Sequence, residues 1–194
     1  MSNIELTGAV LGVINVYLVM RRSVWNYPFG IAMVVLYSFV FFQARLYSDA
    51  LLQIYFFLIQ IYGLWNWLHG RSEDGLVVVG ALTTATRIGY AVATIAGAIF
   101  LGWIFSHYTD AAAPWMDAAI AATSVTAQYL LSIRKIENWV LWIGVDVVAI
   151  GLYFWRGLFP TVALYAVFLI LSVLGLVNWA RTLEVRTMTD GASA

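Results

Sequence analysis

Asp146 is an acid in the middle of an apolar run, and it shares a helical face with Trp139, Trp142 and Tyr153, at i, i+3, i+7 and i+14 counted from Trp139. An ionised carboxylate at bilayer depth costs about 2.5 to 3.5 kcal/mol on insertion scales, so it must face a bundle interior and find a partner there. A second apolar run carries Gln53, Gln60 and Trp67 at i, i+7 and i+14, with Phe56 and Gly63 on the same side. Carboxamides and a carboxylate can satisfy hydroxyls or a ring carboxamide. Indole and phenol faces stack on a flat heterocycle and attract a cationic one. The two faces together suit a small polar aromatic molecule. A carboxylate in the lining favours a positively charged ring and repels a phosphate ester, which points to a nucleoside or vitamin rather than a nucleotide.

Each of these residue types also has a purely structural use. Gln in a membrane helix serves as interhelical glue worth about 0.6 to 2 kcal/mol. Trp65, Trp67, Trp103, Trp115 and Trp179 fall near the ends of apolar runs, where Trp is enriched as an interfacial anchor. Asn26-Tyr27-Pro28 reads as a helix entry, with Asn as cap and Pro in the first turn. His69 and His107 lie at run edges and read as surface groups rather than ligands.

The elements that position these side chains follow from composition. The chain has 194 residues, 63% hydrophobic and only 10% charged, against roughly 25% charged in an ordinary soluble domain. About seven helices of about 20 residues crossing a hydrocarbon core about 30 Å thick use nearly all of it. Spans are expected near 4–20, 28–43, 49–68, 88–106, 115–131, 139–156 and 160–179, separated by short charged turns. The stretch 76–82 is too short to span and reads as an interfacial turn or an early start to the fourth helix. The fold class is an all-α integral membrane protein. Ten Lys plus Arg balance ten Asp plus Glu, which excludes a nucleic-acid-binding basic face, and Cys is absent, which excludes disulfides and thiol chemistry. No metal or cofactor is expected.

With alternating spans, Arg21, Arg22, Arg71, Arg87, Arg134, Lys135, Arg181 and Arg186 share one side, and Arg45 and Arg156 the other. That bias places the amino terminus outside and the carboxyl terminus in the cytoplasm. The first span lacks a basic leader and a small-residue cleavage site, and it reads as a retained helix.

Laid on itself with a shift of 112 residues, the chain pairs 9–67 with 121–179, and sixteen of the fifty-nine positions are identical. Tyr17 pairs with Tyr129, Arg22 with Arg134, Asn26 with Asn138, Gly63 with Gly175, Asn66 with Asn178 and Trp67 with Trp179. Gln53 faces Tyr165 in this alignment, and Gln60 faces Ser172. Each repeat holds three spans with the fourth between them, a 3+1+3 plan with parallel halves. Transporters use such repeats to bind substrate between the halves and rock around it. Channels also use internal symmetry, so the repeat alone leaves both classes open. A retinal protein is excluded because the only Lys, Lys135, lies in a turn. An enzyme would need acid, base or metal ligands converging at one depth, and no second deep acid accompanies Asp146. A receptor without transport activity stays open.

Trp25-Asn26-Tyr27-Pro28-Phe29-Gly30 resembles the W-N-x-x-x-G element of the PnuC-type nicotinamide riboside transporters. Gln53 to Gln60 to Trp65-Asn66-Trp67 resembles their Q-x(6)-Q plus Trp element, and Leu46 to Gln53 and Glu137-Asn138-Trp139 to Asp146 are similar too. The resemblance covers essentially the whole chain. It implies a SWEET-like fold, with a first three-helix repeat at 1–69, a linker with the fourth helix at 70–114, a second repeat at 115–180 and a cytoplasmic tail at 181–194. It implies facilitated diffusion of nicotinamide riboside across a bacterial inner membrane, trapping by a cytosolic kinase, and a homotrimer. By the same carry-over Asn26, Gln53, Gln60, Asn138, Trp139, Trp142 and Asp146 are the substrate-binding candidates, with Tyr165 added from the repeat alignment. Trp25 and Gly30 are expected to shape the helix crossing. Thiamine and riboflavin carriers belong to the same family, so the identity of the vitamin stays open at this point.

Overall fold

Seven helices, formed where apolar runs are bounded by charge, make up the computed structural model, which describes residues 3–43, 47–72, 75–109 and 113–192. They are α1 (Asn3–Met20), α2 (Asn26–Gln43), α3 (Tyr47–His69), α4 (Thr84–Tyr108), α5 (Pro114–Ser132), α6 (Glu137–Trp155) and α7 (Phe159–Ala192). Of the described helices, α4, α6 and α7 are long and apolar enough to cross a membrane by length and composition, while α1 and α2 carry shorter apolar stretches at Leu6–Met20 and Asn26–Phe39. The expected charged turns at Arg45-Leu46, Glu73-Asp74 and Asp110 lie outside the described residues.

The expected tail at 181–194 is helical as far as Ala192, because α7 meets no proline after Pro160 and Leu183 still packs on buried residues. The 76–82 stretch does not start α4, which begins at Thr84 behind the Thr83 side-chain cap. It is a non-helical strap, the turn of the two alternatives, bridged from Val77 to Arg71 and from Gly80 to Lys135.

Neighbouring helices within each set of three pack in chain order, α1 on α2 on α3 and α5 on α6 on α7. The sets meet along two seams, α1 with α7 and α3 with α5, which closes a ring of six helices. α4 stands outside it against α5 and exposes Ile88, Val92, Ile95, Ile99 and Phe100.

Equivalent residues of the two sets make equivalent bonds at the end where α1 and α5 finish. Arg22 and Arg134 both adopt the left-handed conformation, φ 56° and 62°. Each closes its helix with a Schellman pattern: Ser23 N–H donates to Leu18 O at 3.0 Å, and Lys135 N–H to Leu130 O at 2.8 Å. Holding a side-chain-bearing residue there costs roughly 1 to 3 kcal/mol. It also turns the carbonyls of both arginines toward the strap. Gly80 N–H donates to Arg134 O at 3.0 Å and Val77 N–H to Arg22 O at 3.4 Å. Val77 and Val79 are thereby buried against the interface of the two sets, at 0% and 2% exposure.

The seams are tied by the same two residue types. Trp67 Nε1–H donates to Leu131 O at 3.0 Å, and its equivalent Trp179 donates to Val19 O at 3.3 Å. Asn66 Nδ2–H donates to Ser132 O at 2.8 Å, and Asn178 to Met20 O at 3.2 Å. Trp67 and Trp179 are therefore buried tie points and not interfacial anchors, because each indole N–H caps a helix-end carbonyl of the opposite set. Trp65, Trp103 and Trp115 are exposed, at 57%, 47% and 54%, as anchoring requires.

Candidate functional site

The eight expected substrate-binding residues separate into two layers along the ring. The layer nearer the basic end is built by the starts of α2 and α6. Asn26 Nδ2–H donates to Ser23 O at 2.7 Å, and Asn138 Nδ2–H to Lys135 O at 2.6 Å, so both side chains hold the turns that lead into their helices. Trp139 is 1% exposed and stands edge-on to Trp179, with ring centroids 5.6 Å apart at 89°. Its repeat partner Tyr27, also 1% exposed, stands edge-on to Trp67 at 5.4 Å and 87°. A glycine makes room for each ring. A Cβ on Gly63 would lie 2.5 Å from the Tyr27 hydroxyl, and one on Gly175 would lie 2.5 Å from Trp139 Cζ2. Edge-to-face pairs of this kind add about 0.5 to 1.5 kcal/mol beyond their burial. Tyr27, Trp67, Trp139 and Trp179, with Val19, Leu131, Val77 and Val79, form one buried cluster that seals the basic end. The Tyr27 hydroxyl and Trp139 Nε1 are buried in it without a hydrogen-bond partner, as is Asn138 Oδ1.

The second layer lies deeper. Asp146 is the central residue of α6 and is 3% exposed, and its Oδ2 accepts a hydrogen bond from Ser172 Oγ at 3.0 Å. Ser172, itself 2% exposed, is the repeat partner of Gln60. The Asp146 carboxylate has the partner that an intramembrane acid needs, but that partner is a neutral hydroxyl. Tyr165, half-buried on α7, stacks beside Tyr153 of α6 with centroids 5.2 Å apart and meets Phe168 edge-on at 5.7 Å. Across the ring Gln60 is 5% exposed, and no hydrogen bond to its amide is found among the described residues. Its carbonyl oxygen lies over Gly30 of α2, where a Cβ would collide with it. Gly30 is thus required by the Gln60 side chain rather than by a helix crossing alone, while Trp25 is 67% exposed. Gln53 and Trp142 are half-buried on the helices that carry Gln60 and Asp146.

Asn15 is a polar residue of this region that is not among the expected ones. It is half-buried on α1, and its Nδ2–H donates to Asn26 O at 2.7 Å. An Asn in the middle of the apolar run of α1 is itself a signal, but the repeat pairs it with Ala127, so internal symmetry does not pick it out. The openings found among the described residues lie elsewhere. A groove of about 620 Å³ between α4, α5 and α6 is lined by Tyr90, Thr94, Thr126, Val140 and Leu176, with the Arg87–Glu137 ion pair, 2.8 Å, at its mouth. A smaller cavity of about 260 Å³ lies beside Arg22, Val79 and Thr182. Neither includes any of the eight residues. No group of three or more metal-ligating side chains occurs among the described residues.

Chemically, the deep layer offers one carboxylate, two half-buried rings and an amide with free hydrogen-bonding capacity. These group types are complementary to a flat polar molecule with a positive ring.

Proteins similar to this chain in sequence and in shape are named as transporters. The nicotinamide riboside transporter PnuC of Escherichia coli strain K12 is 25% identical over 211 residues, covering 96% of this chain and 88% of that protein. The riboflavin/roseoflavin transporter RibM of Streptomyces davaonensis is 28% identical over 195 residues, covering 98% and 91%. The crystal structure of the vitamin B3 transporter PnuC superposes with a TM-score of 0.77 at 27% identity, covering 93% of this chain and 82% of that one. The sequence profile of the family described as Nicotinamide mononucleotide transporter matches residues 2–181, and the chain belongs to that family of membrane transporters.

Proposed function

We propose that the protein carries nicotinamide riboside into the cytoplasm by facilitated diffusion across a bacterial inner membrane, with trapping by cytosolic phosphorylation. The observation that carries this reading is the Asp146–Ser172 pair at the centre of α6, a buried carboxylate balanced by a hydroxyl and not by a cation. A pyridinium bound beside it would supply the missing positive charge. Trp142 and Tyr165 provide faces for the ring, and Gln53 and Gln60 provide partners for the carboxamide and ribose. Asn26, Asn138 and Trp139 border the same space from the basic end.

In this reading α1–α3 and α5–α7 are parallel repeats of a SWEET-like 3+1+3 fold, in the boundaries 1–69, 70–114, 115–180 and 181–194. The amino terminus lies outside, and the basic end, which carries most of the Lys and Arg, faces the cytoplasm. The aromatic seal then closes the cytoplasmic exit, and rocking of the repeats opens it. The chain acts as a carrier and not as an enzyme, and the family resemblance implies a homotrimer, which its mass in detergent would test. Riboflavin is the second reading, favoured by the similarity to RibM; thiamine, a flat cation, fits the carboxylate as well.

The test is flux into liposomes holding the purified protein. Nicotinamide riboside should equilibrate without being concentrated, with or without a proton or sodium gradient. Accumulation on imposing a gradient would overturn facilitated diffusion. Absence of flux despite binding would favour a receptor.

A further inference from the structure

The two repeats fill the same volume with different chemistry, and this assigns a role to Asn15. In the first repeat Gly30 leaves bare backbone, and two amides converge on it. A Cβ there would meet the Gln60 carbonyl oxygen and would lie 2.7 Å from Asn15 Nδ2. In the second repeat the positions equivalent to Gly30, Gln60 and Asn15 are Trp142, Ser172 and Ala127. An indole takes the place of the bare backbone there, and Asp146 lies beside Ser172.

An amide oxygen and an amide nitrogen side by side form an acceptor next to a donor. A primary carboxamide is their complement, since its N–H₂ donates and its carbonyl accepts. A carboxylate is not, because it has only acceptors and would face the Gln60 oxygen unpaired. Asn15 is held in place for this task by its hydrogen bond to Asn26 O at 2.7 Å. That bond uses one N–H and leaves the second N–H and Oδ1 for a ligand. Gln60, 5% exposed with no hydrogen bond to its amide among the described residues, keeps a donor and an acceptor for a ligand.

We infer that Asn15 is a specificity-determining residue that, together with Gln60, reads the substrate's carboxamide across the bare face of Gly30. The inference rests on the nicotinamide riboside reading. It adds an orientation, with the cationic ring toward Trp142 and Asp146 in one repeat and the carboxamide toward Asn15 and Gln60 in the other.

The experiment compares equilibrium binding of nicotinamide riboside and nicotinic acid riboside, which share the ribose and the pyridinium and differ only in carboxamide against carboxylate. Wild-type protein should prefer the carboxamide. Asn15→Ala should weaken nicotinamide riboside roughly tenfold, about one hydrogen bond's worth, and change nicotinic acid riboside less than twofold, so that the preference collapses. Gly30→Ala, which displaces both amides while retaining both side chains, should do the same and covers the case in which Asn15→Ala does not fold. Equal weakening of both ligands in the folded variants, as a merely structural Asn15 would give, overturns the inference, as does an unchanged preference. Failure of the wild-type protein to bind nicotinamide riboside at all would instead remove the functional reading beneath it.

Discussion

Two regions of this ring of helices obey the internal repeat differently. At the basic end the key positions of the repeats match: Arg22 with Arg134, Tyr27 with Trp139 as ring-bearing partners, Gly63 with Gly175 and Trp67 with Trp179. Their conformations and bonds match as well. One layer deeper the match dissolves, and Gly30, Val34 and Gln60 face Trp142, Asp146 and Ser172 as equivalents. Two three-helix sets of similar sequence need matching joints wherever they seal against each other. A ligand without two-fold symmetry needs unlike walls where it sits. The symmetric layer is therefore read as scaffold and seal, and the asymmetric layer as the site.

The largest stability effects should come from the symmetric joints. Gly63→Ala places a methyl group 2.5 Å from the buried Tyr27 hydroxyl, and Gly175→Ala places one 2.5 Å from Trp139 Cζ2. Overpacking of this kind typically costs about 1 to 3 kcal/mol. Thermal unfolding in detergent should show losses of similar size for both, and a loss confined to one variant would break the equivalence of the joints.

A smaller loss is expected from Trp67→Phe and Trp179→Phe, which retain the ring burial and remove the indole donor to Leu131 O or Val19 O. A hydrogen bond contributes about 0.5 to 1.5 kcal/mol net. The Trp67 variant should lose the larger part of that range, because its bond is the shorter, 3.0 against 3.3 Å. The smallest effect belongs to Tyr27→Phe. The hydroxyl is buried without a partner, so its removal should leave stability unchanged or raise it slightly. A clear loss in the same melting assay would mean that the hydroxyl is satisfied in the membrane-embedded protein.

Much of this arrangement is legible in the residues alone. Apolar runs bounded by Arg21-Arg22, Arg134-Lys135 and Arg156-Gly157 mark the helices, because a bilayer penalises charge within a span and accepts it at the ends. Asp146 and Gln60 stand out because polar groups at that depth need a reason. The strap at 76–82 does not stand out. Its Val-rich composition fits a helix start as well as a buried extended segment, and only the left-handed carbonyls of Arg22 and Arg134, a tertiary feature, select the second. Trp67 and Trp179 are ambiguous by position, since a Trp near a helix end can face headgroups or the interior. The glycine four residues before each of them reports the ring that packs there, Tyr27 or Trp139, but that meaning appears only when the helices are assembled. Asn15 escapes because its contact with the Gln60–Gly30 region comes from α1 packing against α2, which no spacing within one helix encodes.

The central claim is that the unlike layer, through the Asp146 carboxylate, recognises a cationic vitamin. The most direct test is nicotinamide riboside binding by Asp146→Asn beside the wild-type protein, with neutral riboflavin as the comparison ligand. The substituted side chain keeps its shape and can still bond Ser172, so packing is preserved and only charge is lost. Hydrogen bonds and contacts to a charged group contribute about 1.5 to 3 kcal/mol, and nicotinamide riboside should accordingly bind about 10- to 100-fold more weakly, with no comparable change for riboflavin. Undiminished nicotinamide riboside affinity in the Asn variant, or wild-type protein that binds riboflavin more tightly than nicotinamide riboside, would contradict the account.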